Sequence, residues 1–442
     1  MHTKAFLTEP VTKLFFRYLI PSICGTMVTS IYVLADTIII GKGIGIDAMA
    51  ALNIILPLFN IFFGTGLLFG VGGSVLMSIS RGKGEYKKGN CFFTTSFILN
   101  LITCILYMIV FLLFKKPILI FLGATPVTLP YVLDYAPYIL WGLSAFAFSS
   151  FLQTFVRNDG APKLSMAAVI SGGVLNIILD CFFVFTLKME MAGAAFASVC
   201  GSILTVCILS THFFTKSNHL HFSFDHFSLR FIVEIYKTGV TSFLIEISSG
   251  IVMFIFNLQL LKYVGDIGIS MYGVITNTAI VVMCLCNGIN QASQPILSTN
   301  HGAGRYDRTE KIKKLGMKTA IVICSIPAIL GLAIPNLFTY IFLNPTSEIL
   351  ELSSTAIRIY FTGFFITGIN MFIVGYFQSV IKPHLSLLLC LLRGCILSIL
   401  FVYILPPLAG VNGIWMSVPL AEFITLFLGI FFLKKNTLEV HV

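Results

Sequence analysis

The sequence predicts an all-α membrane protein of about twelve transmembrane helices, arranged as two similar six-helix bundles. Three features lead to this fold class: an apolar composition, apolar runs of spanning length, and an internal repeat. The chain has 442 residues, of which 57% are hydrophobic and 10% charged, whereas soluble domains carry about 25% charged residues. Its apolar runs repeatedly reach the roughly 20 residues that a helix needs to cross the hydrocarbon of a bilayer.

Charged loops, glycines and prolines divide the chain into the individual spans. The predicted spans lie near residues 14–40, 50–78, 92–114, 129–152, 163–186, 191–213, 231–258, 267–297, 315–335, 353–378, 384–405 and 411–433. The first span is too long for a secretory signal and has no small-residue cleavage site. We therefore expect it to remain in the mature protein.

The basic residues predict how the chain is oriented in the membrane. Most of the 28 Lys and Arg residues fall in loops that are cytoplasmic if the N-terminus is cytoplasmic, the exceptions being Lys42, Lys115, Lys116, Lys188, Lys262 and Arg358. This asymmetry follows the positive-inside rule and predicts that both termini are cytoplasmic. It also accounts for the net charge of +10 without a nucleic-acid partner. We expect the chain to lie in a prokaryotic cytoplasmic membrane, from its compact length without an organelle-targeting extension and equally from the family resemblance described below.

An internal repeat relates the two halves of the chain. Residues 81–86 (RGKGEY) correspond to residues 301–306 (HGAGRY), and matching positions follow in the same order at Gly142 and Gly363, Pro162 and Pro383, and Gly193 and Gly413. Each half has an even number of spans, so the repeat is predicted to be parallel. The predicted division is a first lobe of residues 1–213, a cytoplasmic connector of residues 214–230 and a second lobe of residues 231–442.

The motifs of familiar enzymes do not occur in this sequence. It has no Walker phosphate-binding loop, no His-Glu-x-x-His and no Gly-x-Ser-x-Gly, so neither ATP hydrolysis nor hydrolytic catalysis is predicted. Most of its 11 cysteines lie in apolar runs and are interpreted as packing residues. We expect a protein that is not an enzyme, has no cofactor and, if it moves solutes uphill, uses an ion gradient.

Polar residues in the first half predict an ion site. On the first span, Tyr32 and Asp36 share a helical face, and on the fifth span Asn176 and Asp180 lie one turn apart. Ionisable residues within a bilayer are costly and commonly functional. Two carboxylates and an amide at similar depth could hold a hard cation or share a proton. The alternative is that each aspartate only bonds to backbone or to a neighbouring helix.

The second half has its own intramembrane charges. Glu246 lies on the seventh span with Met253 and Asn257 on about the same face, which indicates either a substrate pathway or a structural hydrogen bond. Arg393 and Glu422 fall on consecutive spans and are interpreted as a structural ion pair.

Several of these residues together resemble the multidrug and toxic compound extrusion (MATE) family over nearly the whole chain. The residues that carry the resemblance are Pro21, Tyr32, Ala35-Asp36-Thr37, Gly41, Pro57, Gly82-x-Gly84, the loop from Arg157 to Pro162, Asn176 with Asp180, and Gly193-Ala-Ala. The resemblance implies a fold of the MOP superfamily. It also implies a two-lobed antiporter that exports bulky, often cationic organic compounds in exchange for H⁺ or Na⁺ by alternating access.

The resemblance also implies roles for individual residues. The positions that match the family's cation-coupling site are Tyr32, Asp36, Asn176, Asp180 and Ser198, the last where a threonine is common. Pro21 matches a first-helix proline linked to bending, although simple tolerance of a proline there is equally open. Glu246 matches an acidic position used by some members. The tenth span departs from the pattern because its only acid is Glu351 at the outer edge, which favours the first lobe for coupling.

Two other functions are weighed against export. A lipid-linked saccharide flippase of the same superfamily would need a cationic cavity, whereas the unpaired intramembrane charges here are acids. A membrane-embedded enzyme would need a nucleophile, a metal or an acid–base cluster. The expected partners are therefore small organic molecules and the bilayer, with no metal beyond a possible Na⁺, and the oligomeric state is left open.

Overall fold

A computed structural model describes residues 2–44, 46–126, 128–225, 228–342, 345 and 347–440. Every regular element within these ranges is a helix. The first half contains α1 (His2–Thr8), α2 (Val11–Gly43), α3 (Ile46–Gly82), α4 (Tyr86–Phe121), α5 (Leu129–Asn158), α6 (Pro162–Cys181) and α7 (Glu190–Ser210). The second half contains α8 (Leu229–Tyr263), α9 (Asp266–Gly302), α10 (Tyr306–Ala333), α11 (Pro335–Phe342), α12 (Ser347–Phe361), α13 (Phe364–Ser379), α14 (Pro383–Leu391), α15 (Leu397–Ile404), α16 (Pro406–Ala409) and α17 (Val411–Val440).

The long helices confirm that the chain is a multi-pass membrane protein. Eleven helical segments within the described residues are long and apolar enough to cross a membrane. The predicted span at 129–152 is present as α5, but it is not among those eleven. Apolar side chains such as Ile102, Leu106 and Leu113 on α4 are 57%, 54% and 71% exposed. Such an outward-facing apolar surface is suited to hydrocarbon rather than to water.

Two predicted spans of the second half are interrupted in the structure. The span predicted at 353–378 consists of α12 and α13, separated at residues 362–363. The span predicted at 384–405 consists of α14 and α15, joined by a π-helical turn over Leu392–Ile396. The hydroxyl of Ser398 donates to the carbonyl of Arg393 at 2.8 Å, which helps to satisfy a carbonyl in the widened turn. A second π-helical turn, Phe182–Thr186, follows α6.

Glycine turns at equivalent positions support the predicted repeat. Gly84 and Gly304 have φ values of 84° and 68°, a conformation that side-chain-bearing residues rarely adopt. Around them, Glu85 N–H bonds to the Ser80 carbonyl at 2.8 Å, and Arg305 N–H bonds to the Asn300 carbonyl at 2.9 Å. Both bonds are of the six-to-one type that ends a helix in a left-handed residue. The two sequence segments therefore form the same turn.

Contacts between Cα atoms divide the chain into two compact units. Unit 1 comprises Met1–Ile247 and Ser298–Tyr306, and unit 2 comprises Ser248–Leu297 and Asp307–Val442. In unit 1, α2 packs on α6, α5 packs on α3 and α7, and α6 packs on α7. In unit 2, α12, α13 and α15 pack on α17, where Trp415 is buried. The lobe boundaries predicted from the repeat remain a prediction.

Candidate acidic site in unit 1

Helices α2 and α6 bring together the predicted polar residues of the first half. The ring of Tyr32 on α2 lies against Gly173 on α6, where a Cβ atom would be 3.2 Å from Tyr32 Cδ1. Because a bare backbone faces the ring, the two helices can approach closely. One turn along α6, Asn176 is buried, and after another turn Asp180 is completely buried. The three-then-four spacing predicted from the sequence thus places these groups on the side of α6 that meets α2.

The carboxyl groups of Asp36 and Asp180 are close enough to interact directly. Within the described part of the chain, Asp36 Oδ1 and both carboxyl oxygens of Asp180 are buried and have no hydrogen-bond partner. Buried polar atoms are normally paired. Unpaired acceptor oxygens on two neighbouring acids are positions that a proton or a cation can fill.

Asn176 connects the two acids to a third helix. Its Nδ2 atom donates to Ser198 Oγ on α7 at 3.2 Å, while its Oδ1 atom is buried without a partner in the described residues. The bond to Ser198 uses the amide nitrogen, so the amide oxygen remains an acceptor for another group. Tyr32, Asp36, Asn176, Asp180 and Ser198 thus form one site built from three helices.

This site adjoins a cleft inside unit 1, whose empty volume of about 530 Å³ includes space open to solvent. The described lining residues carry aromatic rings, hydroxyls and amides, with no Lys or Arg: Thr29, Tyr32, Phe63, Phe146, Ser149, Gln153, Val169, Gly172, Gly173, Asn176, Ser198, Gly201, Ser202 and Thr205. A lining without basic groups does not favour a phosphate-bearing ligand. It is suited instead to water, small cations or a cationic organic molecule.

Tyr135 on α5 is a member of this site that the sequence did not indicate. Its side chain is completely buried, lies near Ser198 and interacts electrostatically with Asp36 and Asp180. The predicted span at 129–152 offered no polar face to single it out. Its proximity to α2 and α6 depends on how α5 packs, which no local pattern encodes.

The other predicted site residues lie elsewhere. Glu246 on α8 packs near Gly64, where a Cβ atom would be 3.6 Å from Glu246 Cβ, and it is not among the described residues that line the cleft. Met253 and Asn257 belong to unit 2, where Met253 is 40% exposed. Pro21 lies within α2, which continues as one helix from Val11 to Gly43.

The predicted pairing of Arg393 with Glu422 is confirmed. Arg393 Nη2 lies 2.5 Å from Glu422 Oε1, and both side chains are nearly buried. Asn370 Nδ2 donates to Glu422 Oε2 at 2.6 Å. With both carboxylate oxygens occupied, this group in unit 2 has the bonding of a structural ion pair.

These features define a class: an α-helical, multi-pass membrane protein with a buried acidic site in its first unit. The MatE family model matches residues 21–182 and 240–404, which is well over half of the chain. The chain therefore belongs to the MatE family, that of the MATE transporters.

Similar proteins extend over almost the whole chain. The multidrug export protein MepA of Staphylococcus aureus (strain MSSA476) is 26% identical over 426 residues, covering 94% of this chain and 92% of MepA. A solved multidrug resistance MATE family transporter of the MOP superfamily, in its outward-facing conformation, has a TM-score of 0.91 at 22% identity and covers 99% of this chain and 98% of its own. The same values hold for a MOP superfamily transporter from Pyrococcus furiosus, described as having a binding pocket of reverse polarity that suggests a different function. At this identity, the solved structures show the fold.

Proposed function

We propose that this protein is a secondary antiporter that exports organic, often cationic compounds in exchange for H⁺ or Na⁺ by alternating access. The observation that carries the proposal is the adjacent pair of carboxyl groups, Asp36 and Asp180, of which Asp36 Oδ1 and both Asp180 oxygens are buried without a hydrogen-bond partner among the described residues. The export function named for MepA supports it. No enzymatic step and no cofactor is needed for such exchange.

The acid pair supplies the coupling in this proposal. An ion or proton bound between Asp36 and Asp180 removes the repulsion between two negative groups and completes their bonding. Binding can shift the protein between two arrangements only if the ion has different affinities for them. By linkage, the exported compound then has a different affinity for the ion-bound protein. Mutual exclusion of ion and compound converts the gradient into export.

The distribution of charged residues supports a class of cargo and an orientation of the chain in the membrane. The cleft beside the acid pair has no basic lining residue in the described part of the chain, which supports a cationic or neutral cargo over the lipid pyrophosphate of a flippase. Lysine and arginine are concentrated in the segments 81–88 and 305–318, around the turns that follow α3 and α9. This bias supports a multi-pass orientation in the cytoplasmic membrane of a prokaryote with both termini inside.

Export from proteoliposomes tests the proposal. Purified protein is reconstituted, and efflux of the fluorescent cation ethidium is followed under an imposed proton or sodium gradient. Asp36→Asn and Asp180→Asn should each abolish gradient-driven export, because a neutral amide cannot exchange a proton or balance a sodium ion. Whichever gradient drives the wild type identifies the coupling ion.

Asp225→Asn is the matched control, because it makes the same chemical change at an exposed position in the connector. It should export at the wild-type rate. Export by Asp36→Asn that still follows the gradient would contradict the assigned coupling site. Absence of export by folded wild type under both gradients, with transbilayer movement of a lipid-linked saccharide, would replace the proposal with a flippase.

A further inference from the structure

At the end predicted to be cytoplasmic, α3 and α9 cross with no side chain between them. A Cβ atom at Gly82 would lie 2.9 Å from the amide nitrogen of Ala303 and closer still to the carbonyl oxygen of Thr299. A Cβ atom at Gly302 would lie 2.7 Å from Ile79 Cα and closer still to the carbonyl oxygen of that residue. Only glycine fits at either position, so the contact is reciprocal and joins backbone to backbone.

The two glycines are equivalent in the repeat. Gly82 is the second residue of RGKGEY and Gly302 is the second residue of HGAGRY. Both belong to unit 1, which includes from α9 only its last residues, 298–302, together with residues 303–306 that follow them. The crossing therefore pairs the same position from each half of the sequence.

A second glycine contact of the same kind joins α3 to α8. A Cβ atom at Gly72 would lie 3.1 Å from the amide nitrogen of Gly239, and a Cβ atom at Gly239 would lie 3.2 Å from that of Gly72. Each would also meet a carbonyl oxygen of the opposite helix, at Ile235 and Leu68 respectively. Helix α3 thus contacts both of these second-half helices through bare backbone.

A cluster of the buried residues Arg81, Asp159 and His212 with the half-buried His219 fixes the adjoining end of α3. Asp159 Oδ1 accepts a bond from Arg81 Nη1 at 2.5 Å, and Asp159 Oδ2 lies 2.7 Å from His212 Nε2 and 2.9 Å from the amide nitrogen of His219. Arg81 Nη2 also donates to the His219 carbonyl at 2.7 Å. Asp159 and His212 are 2% and 0% exposed. The cluster ties α3, the loop after α5 and the connector into one block.

The bonds of Asp159 keep it charged at neutral pH. Burial alone would raise the pKa of this carboxyl group, but the bonds from His212, Arg81 and the His219 amide together hold it below its ordinary value. Breaking one member of such a buried pair is strongly destabilising because the other charge is left uncompensated. The end of α3 is therefore held firmly, in contrast to its glycine contact with α9.

We propose that the Gly82–Gly302 contact is the gate that closes the cytoplasmic end of the transport path, with Asp159 as the positioning residue that presents α3 to α9. The proposal rests on the transport function above. A crossing without interdigitated side chains can separate and re-form without rotamer changes, while the Asp159 cluster keeps one side of it fixed. Alternating access requires such a contact to be broken in one of the two arrangements.

Hydrogen–deuterium exchange in lipid nanodiscs, combined with the ethidium assay, tests the gate. Gly302→Ala forces α9 away from α3, so amide exchange in residues 76–82 and 298–303 should become several-fold faster. Export should fall roughly tenfold, because a single overpacked methyl group is enough to shift such a balance. Gly273→Ala is the control on the same helix, since nothing lies within 4 Å of a Cβ atom there. It should change neither measurement.

The variant Asp159→Asn tests the positioning role independently, and the exposed Asp225→Asn is its control. Asp159→Asn should speed exchange in residues 76–82 and 215–223 and, through loss of positioning, in residues 298–303. If amide exchange in residues 298–303 stays at the wild-type rate, Asp159 does not position α3 against α9, and that part of the proposal is overturned. If Gly302→Ala does not fold, this variant decides the test.

The exchange measurement needs no transported compound, so the two proposals can fail separately. Wild-type exchange at both segments in Gly302→Ala, or equal effects of Gly302→Ala and Gly273→Ala, overturns the gate. Faster exchange with unchanged export also overturns it, because the contact would then have no part in transport. Absence of export by the wild type overturns the proposed function instead.

Discussion

At the scale of residues, the acidic site has more acceptors than donors. Asp36 and Asp180 contribute carboxyl oxygens and Asn176 contributes an amide oxygen. Asp36 Oδ1, both oxygens of Asp180 and Asn176 Oδ1 are buried and accept no hydrogen bond from the described residues. An excess of acceptors in a buried site is unfavourable unless a proton or cation enters it. This imbalance is the physical reason for proposing that ion coupling takes place in unit 1.

Ser198 should determine how strongly the site binds its ion. Replacing Ser198 by alanine removes the acceptor for Asn176 Nδ2, and loss of one partner in a buried hydrogen bond costs about 1–3 kcal/mol. The Asn176 amide beside Asp180 then loses the bond that fixes its position. We expect the ion concentration for half-maximal export to rise roughly tenfold, with the maximal rate retained.

Ser149→Ala is the matched control for this measurement. Ser149 lines the same cleft, but its hydroxyl donates to the carbonyl of Phe146 in its own helix. It should leave the ion dependence unchanged. An equal shift in both variants would mean that the cleft responds to lost polarity in general and not to the position of Asn176.

At the scale of elements, the two helices that carry the acids each have an irregular feature: a proline within α2 and a π-helical turn directly after α6. Helix α2 carries Asp36 and contains Pro21 about four turns earlier. Helix α6 carries Asp180, and a π-helical turn begins two residues beyond it. Prolines and π-helical turns both weaken the regular bonding of a helix and are the usual places where helices bend. The acidic site thus lies on helices that contain points at which helices usually bend.

Pro21→Ala tests whether bending of α2 contributes to transport. The alanine restores an N–H group that can bond to the Arg17 carbonyl, so α2 should become stiffer and the protein no less stable. We expect slower export at an unchanged or higher melting temperature. Pro57→Ala in α3 is the control, because this proline also lies within a helix but is exposed. Wild-type export by Pro21→Ala would show that the proline is merely tolerated.

At the scale of the whole molecule, the two units contain buried charges of different kinds. In unit 1, Asp36 Oδ1 and both carboxyl oxygens of Asp180 are buried without a hydrogen-bond partner in the described residues, whereas Glu422 of unit 2 is bonded to both Arg393 and Asn370. A satisfied ion pair offers no vacant ligand positions for an ion. The pair in unit 2 therefore has a structural role, and the proposed coupling role belongs to Asp36 and Asp180 of unit 1.

Glu422→Gln should separate stability from coupling. It leaves Arg393 buried without a counter-charge, which costs about 3–5 kcal/mol, so the melting temperature in detergent should fall clearly. The double variant Arg393→Met with Glu422→Leu removes both charges and should recover much of that loss. In both variants, export by the folded fraction should keep the wild-type ion dependence. A changed ion dependence in the double variant would give unit 2 a part in coupling.

The sequence by itself determined the membrane fold, its helices, its repeat and the core of the acidic site. Hydropathy and helical spacing are local properties, so they could place Asp36 on one face of α2 and Asn176 with Asp180 on one face of α6. Only the tertiary structure added Tyr135, the Asp159 cluster and the crossing of Gly82 with Gly302. These groups are distant in sequence and meet because whole helices pack against one another, and the packing of helices depends on contacts that no single segment encodes.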